Sequence, residues 1–306
     1  MTRWRWEDRV EALARDTRLD GEGYLYEAVG LLSEEVARSV PQALEAYRTW
    51  LVRRGRRLIA LGRERAALFR VVDGLMWAVD QTVSAADMRN RALLYLENVR
   101  ERRAATQLAL VEEGAEALAL YSAIMVAGRD GASRSALTLL GERALAPRVY
   151  LGEGRPSLAG LTMATELAWA GVNVTLGSDM ALFGWLSRVE ALLLCAESIS
   201  AKGVIAARGA AALAEAAYAR ELPVIVLAAR GDLMAAEYAA GIEAAAGDPD
   251  QILSHPHERI SVRNELWDTT PVEHVTRVIT EDGILAGDAL LQALRSVRAH
   301  PALAGR

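Results

Sequence analysis

Lysine is almost missing from this chain: Lys202 is the only one, and nearly every cation is an arginine. That bias fits a GC-rich genome and a hot habitat equally well. Cysteine is just as scarce, and with Cys195 alone no internal disulfide can form. No apolar run approaches the ~20 residues needed to cross a bilayer. No charged, apolar, small-residue leader opens the chain either, so a cytoplasmic protein without membrane contact is expected. The histidines, His255, His257, His274 and His300, all lie late. His255 and His257 stand two apart with no third ligand in view, so no metal site is expected. Ser-His-Asp and P-loop signatures are absent, and Gly152-Glu153-Gly154 does not make a dinucleotide fingerprint, so no cofactor is implied.

What is present has the profile of a folded globular protein: 306 residues, 52% hydrophobic and 25% charged, enough for two domains and a substantial core. A net charge of -5 supplies no global basic field, and a nucleic-acid partner is not expected. One row of cations, Arg53, Arg54, Arg56, Arg57, Arg63 and Arg65, alternates with Leu51, Leu58, Leu61 and Leu68. It reads as the wet face of a helix, with a patch for a polyanion or a partner as the alternative.

From Trp6 to about Gly114 apolar residues recur at three and four positions, as in Leu25, Val29, Leu32 and Val36, which predicts amphipathic helices throughout. After that the pattern becomes short β-rich runs alternating with helical ones. Strands are expected at Tyr121 to Ala127, Arg148 to Leu151, Val172 to Leu176, Ala191 to Cys195 and Pro223 to Ala229. Helices are expected at about 134 to 146, 157 to 170, 180 to 187, 209 to 221 and 233 to 246. The fold class is therefore α/β, with a helical domain over 1–115 and a Rossmann-like parallel-sheet domain over 116–306. Ligands in such sheets bind outside the carboxyl ends of the strands.

Several candidate residues fall on those loops. Gly128 to Ser135 follows a strand and opens a helix, so its N–H groups and the helix dipole favour an anion. Ser133 or Ser135 would cap the helix and reach a phosphate, and Arg129 and Arg134 add bidentate charge. The plain alternative is a Gly-rich turn with a serine cap. Arg155, between Gly154 and Pro156, is presented at a helix entrance and suits a phosphate, or else pairs with Glu153. Asp179 ends a strand and either caps the next helix or touches the ligand. Cys195 closes an apolar run and reads as a buried, inert thiol.

The segment Asn264-Glu265-Leu266-Trp267-Asp268-Thr269-Thr270-Pro271, followed by Ile279-Thr280-Glu281-Asp282-Gly283, is polar and specific. It resembles the tail motif Asn-x-x-Phe-Asp-x-Thr-Pro-Pro and Ile-Thr-Glu-x-Gly, with Trp267 in the Phe slot and Val272 for the second Pro. This motif belongs to the family that joins the α, β and δ regulatory subunits of translation initiation factor 2B to isomerases of methylthioribose 1-phosphate and ribose 1,5-bisphosphate. Gly154-Arg155-Pro156 to Gly160 resembles its Ser-Arg-Pro-x-x-x-Gly, and Gly171 to Asp179 follows at the family's distance. Asp16 to Gly21 and Arg63 to Val72 are similar to its N-terminal turn and its helix before the domain junction.

The resemblance implies a phosphosugar pocket at the first loop, with Arg155 in it, Pro156 fixing its loop, and Asn264 and Asp268 shaping its wall. It also implies assembly as a homodimer or a set of dimers. The isomerases carry a Cys on the first loop and an Asp in Gly-Ala-Asp. Here Val126-Ala127-Gly128-Arg129 has no Cys, and Cys195-Ala196-Glu197 puts Glu197 in the Asp position. The family's Asn-Lys-x-Gly-Thr appears as Ala206-Ala207-Arg208-Gly209-Ala210, leaving Arg208 as the cation and a candidate phosphate contact. With the acid/base pair altered, the expectation is a noncatalytic binder of a phosphorylated sugar or nucleotide with a regulatory role. The alternative is a divergent aldose-ketose isomerase of a ribose 1-phosphate derivative using Glu197.

Overall fold

The computed structural model describes residues 5–14, 21–41, 43–62, 66–238 and 246–303. Helices α1 (Trp6–Ala14), α2 (Gly21–Arg38), α3 (Leu44–Leu61), α4 (Ala66–Val79) and α5 (Ala85–Leu118) come first. Their apolar faces meet in one core, where Leu25, Leu32, Leu51, Leu58, Phe69 and Leu75 are buried. Burying one such side chain contributes about 1.5–3 kcal/mol, so packing rather than helix propensity holds these elements. Ser84 starts α5 by accepting the Asp87 N–H at 3.1 Å.

The wet-face reading of the arginine row on α3 holds for Arg53, Arg56 and Arg57, which are exposed, while Arg54 is half-buried. Arg54 meets Glu7 at 2.5 Å and Glu35 at 2.9 Å, with its guanidinium 4.5 Å from the Trp6 ring. Arg57 pairs with Glu11 at 2.7 Å, and Arg56 donates to the Ala302 carbonyl at 2.7 Å. These contacts tie α1, α2 and the C-terminal segment to α3. Arg63, Arg65 and the turn at 16–20 lie outside the described residues.

The α/β expectation holds for the rest of the chain. In order come β1 (Ala123–Ala127), α6 (Gly131–Glu142), β2 (Arg148–Gly152), α7 (Ala159–Trp169), β3 (Val174–Gly177), α8 (Ala181–Trp185), β4 (Ala191–Leu194), β5 (Ala196–Ser200), β6 (Gly203–Ala207), α9 (Ala210–Tyr218), β7 (Val224–Leu227), β8 (Trp267–Thr270), β9 (Arg277–Thr280), β10 (Gly283–Leu285) and α10 (Gly287–Ser296). Seven strands form one sheet in the order β10-β9-β7-β4-β1-β2-β3. All pairings are parallel except β10 on β9. The strands β1 and β4 are buried along their whole length, which is why they read as unbroken apolar runs. Among the described residues no helix is long and apolar enough to cross a membrane.

Three features depart from expectation. First, α5 runs past residue 115, and its Leu110, Ala115 and Leu118 join the core on one face of the sheet. Second, β5, β6 and β8 form a separate antiparallel sheet beside the main one. Third, the helix expected over 233–246 is bridge and turn over 233–238, and 239–245 lie outside the described residues.

Candidate functional site

The strands β4, β1, β2 and β3 are neighbours, so the loops at their carboxyl ends line one edge. The loop after β1 is built around Asp130. Its carboxylate accepts the Ser133 N–H at 2.6 Å and the Ser133 hydroxyl at 2.8 Å, which makes it the N-cap of α6. Ser133 is fully buried, so its expected role as cap and phosphate contact is corrected: a carboxylate already fills that helix start.

Directly against this pair lies Cys195, 3% exposed at the end of β4. The register of β1 on β4 sets Ala127 against Leu194 and brings the thiol to Asp130 and Ser133. The thiol lies against the Asp130 carboxylate and the Ser133 hydroxyl. A Cβ placed on Gly128 would stand 3.2 Å from the Cys195 Cβ. Burial pushes the Asp130 carboxyl above the usual range, against the bonds it accepts from Ser133 and its contact with Cys195. Burial, then the neighbouring Asp130 charge, pushes the Cys195 thiol well above its ordinary value. The thiol therefore stays protonated at neutral pH. This Cys195-Asp130-Ser133 cluster was missed in the sequence, where only the Asp-x-x-Ser spacing of a cap signalled part of it.

Glu197 follows on β5 and is half-buried. The register of β5 against β6 shifts between Ala196 and Ser198, so Glu197 is the extra residue of a β-bulge. Such an irregularity turns a side chain out of the strand's ordinary alternation.

The arginines of the first loop have a partner. Arg129 Nη2 meets both Glu166 oxygens at 3.1 and 3.3 Å, and Arg134 Nε lies 3.8 Å from the same carboxylate. Two guanidiniums sharing one carboxylate leave an excess of positive charge there.

Arg155 is exposed, 3.7 Å from Glu153, and its peptide bond to Pro156 is cis. Its loop is held by Asp179, which accepts the N–H groups of Gly154 at 2.8 Å and Arg155 at 2.9 Å. Asp179 thus acts as a buckle between the ends of β2 and β3. It does not cap α8, which begins after Met180 with no side-chain cap.

On the far side, Asp268 accepts from Gly209 N at 2.7 Å and Ala211 N at 3.2 Å and so covers the start of α9. Arg208 pairs with Glu265 and donates to the Trp267 carbonyl at 3.2 Å. Asn264, 3% exposed, donates to the Asp248 carbonyl at 2.8 Å and to Gln251 at 3.0 Å. Among the described residues no group of three His, Cys, Asp or Glu is placed to hold a metal ion.

A model of the initiation factor 2 subunit family matches residues 25–287. The chain belongs to this family. Relatives in sequence include the methylthioribose-1-phosphate isomerase of Geobacter sp. (strain M21), 34% identical over 196 residues, 59% of this chain and 55% of that protein. The isomerase of the same name from Geobacillus thermodenitrificans (strain NG80-2) is 29% identical over 288 residues, 85% of this chain and 80% of that protein. The chain thus spans little more than half of the first relative, 55%. In structure, translation initiation factor eIF-2B from Pyrococcus horikoshii OT3 matches with a TM-score of 0.75 at 18% identity, over 95% of this chain and 100% of that one. That likeness shows a shared initiation factor 2 subunit fold. The expectation of a noncatalytic regulatory binder is corrected by the sequence relatives, which are named isomerases.

Proposed function

We propose that this chain is a divergent aldose-ketose isomerase acting on a 1-phosphorylated ribose derivative. The observation that carries this reading is Glu197, set on a β-bulge that follows the carboxyl end of the central strand β4. The reaction needs a proton given to the ring oxygen as its bond to C1 opens, a base that takes the proton from C2 and returns it to C1, and loss of the 2-hydroxyl proton as the C2 carbonyl forms, which balances the proton gained by the ring oxygen. Glu197 is the base in this scheme. Arg155 supplies charge for the phosphate from its pinned loop, with Arg129 on the neighbouring loop and Arg134 in the first turn of α6. The shared chemistry of the relatives' names, a phosphorylated ribose, supports the substrate class.

The test is conversion of methylthioribose 1-phosphate and ribose 1,5-bisphosphate followed by NMR. A ketose 1-phosphate is the expected product from at least one. Neither substrate turning over would sink the reading.

The assembly we infer is a homodimer formed along the β3 edge. Among the described residues the outer side of β3 has no paired strand, and Leu176 on it, with Leu161 and Trp169 on α7, is exposed at 41%, 43% and 87%. An open edge flanked by apolar side chains favours pairing with a second copy.

A further inference from the structure

We propose a second ligand site, for a phosphate-bearing organic anion, in the cleft between α4 and α10. A cavity of about 400 Å³ opens there. Arg70 and Trp77 reach it from α4, Arg230 from the turn after β7, and Ser296 and Arg298 from the end of α10 and beyond. None of its lining residues lies on the loops after β1, β2, β3 or β4, so it is separate from the site described above.

Charge selects the ligand. Three arginines, Arg70, Arg230 and Arg298, line the cavity from segments far apart in sequence, and their charge is only partly compensated. Arg70 lies 3.5 Å from Asp73 and Arg230 lies 2.9 Å from Asp282. Arg298 donates to the carbonyls of Arg295 and Val297 and, among the described residues, meets no carboxylate. Asp73 is a weak counterweight. It is 3% exposed, already accepts the His300 N–H at 2.5 Å, and is pushed by burial toward its neutral form. An anion with several acceptor oxygens satisfies such guanidiniums better than a single carboxylate does. The organic part has a wall to lie on, since Trp77 is 51% exposed and its ring is fixed at its edge by His300, with centroids 4.5 Å apart.

A ligand here touches the helical part through α4 and the sheet part through Arg230 and α10, so it clamps the two together. Anything that binds only this folded arrangement raises the melting temperature.

Calorimetric titration with phenyl phosphate and inorganic phosphate tests the site. Wild-type protein is expected to bind both, phenyl phosphate more tightly, with a rise in melting temperature. Arg298→Ala is expected to weaken phenyl phosphate about tenfold or more, the range for a lost bond to a charged group. Ser296→Glu, an exposed position, brings a carboxylate into the cavity and is expected to abolish binding at the loss of one local hydrogen bond, from the Ser296 hydroxyl to the Ala293 carbonyl. Arg155→Ala is expected to leave this binding event unchanged. Wild-type affinity in both Arg298→Ala and Ser296→Glu overturns the proposal. So does a loss confined to Arg155→Ala, which moves the anion to the loop after β2, or no binding of either probe by wild-type protein. No turnover is read, so the result is independent of the isomerase reading.

Discussion

Gly128 and Cys195 face each other across the ends of β1 and β4: a Cβ on the glycine would stand 3.2 Å from the cysteine Cβ. A side chain at 128 would therefore crowd the Cys195 backbone and Cβ, with Ala207 3.7 Å away. Gly128 also holds φ +92°, where a side chain is strained. Gly128→Ala is expected to lower stability by roughly 1–3 kcal/mol, measured by urea unfolding. A neutral result would mean that the loop moves freely away from β4.

The raised Cys195 thiol has a consequence for stability in alkali. Above the ordinary thiol pKa of about 8.5 the unfolded chain releases this proton while the folded chain keeps it, so stability falls as pH rises, by up to about 1.4 kcal/mol per pH unit. Tyr95 and Tyr238, pushed up to about 12 by burial, add their own loss only above the ordinary tyrosine value near 10. Between about pH 8.5 and 10 the unfolding free energy of Cys195→Ala should therefore fall less steeply than that of the wild type. Parallel curves in that window would mean that the thiol titrates normally.

Arg103 joins the helices to the sheet. Its side chain is 11% exposed and meets Asp232, after β7, at 2.8 Å as well as Glu22 on α2. Removing it leaves two carboxylates without that partner. Arg103→Ala is expected to cost roughly 2–3 kcal/mol, the range for a broken buried pair reduced for the partial exposure of the acids. The readout is again urea unfolding, and a change below about 0.5 kcal/mol, ordinary for a surface substitution, would show that the network carries little.

Assembly through the β3 edge makes Trp169 a test position. Analytical ultracentrifugation of the wild-type chain should give a dimer, and Trp169→Glu should shift it toward monomer by placing a charge in an apolar contact. A wild-type monomer, or a dimer untouched by the substitution, would place the interface elsewhere.

The parts legible in the sequence were those with one dominant signal. The apolar runs of β1 and β4 and the three-and-four spacing of α2 and α4 marked buried strands and amphipathic helices directly. Glu197 stood out through its motif. The β5 and β6 pair did not, because it is short, carries Glu197, Ser198 and Ser200 rather than an apolar alternation, and turns on Ala201 and Lys202. The partnerships of the site were hidden for a different reason. Asp130 meets Cys195 only through the register of β1 on β4, and Arg129 and Arg134 meet Glu166 only because α7 lies beside α6. Asp268 likewise finds the start of α9 across β6 and β8. Local spacing carries no trace of such pairings.

Glu197→Gln is the most direct probe of the isomerase reading, because it keeps the size of the side chain and removes its basicity. Initial rates on methylthioribose 1-phosphate and ribose 1,5-bisphosphate are measured for both proteins, with substrate binding followed in parallel by calorimetry. The expected result is wild-type turnover of at least one substrate, a loss of about 10²–10⁴-fold in Glu197→Gln, and binding nearly intact. Turnover unchanged by the substitution would contradict the role given to Glu197.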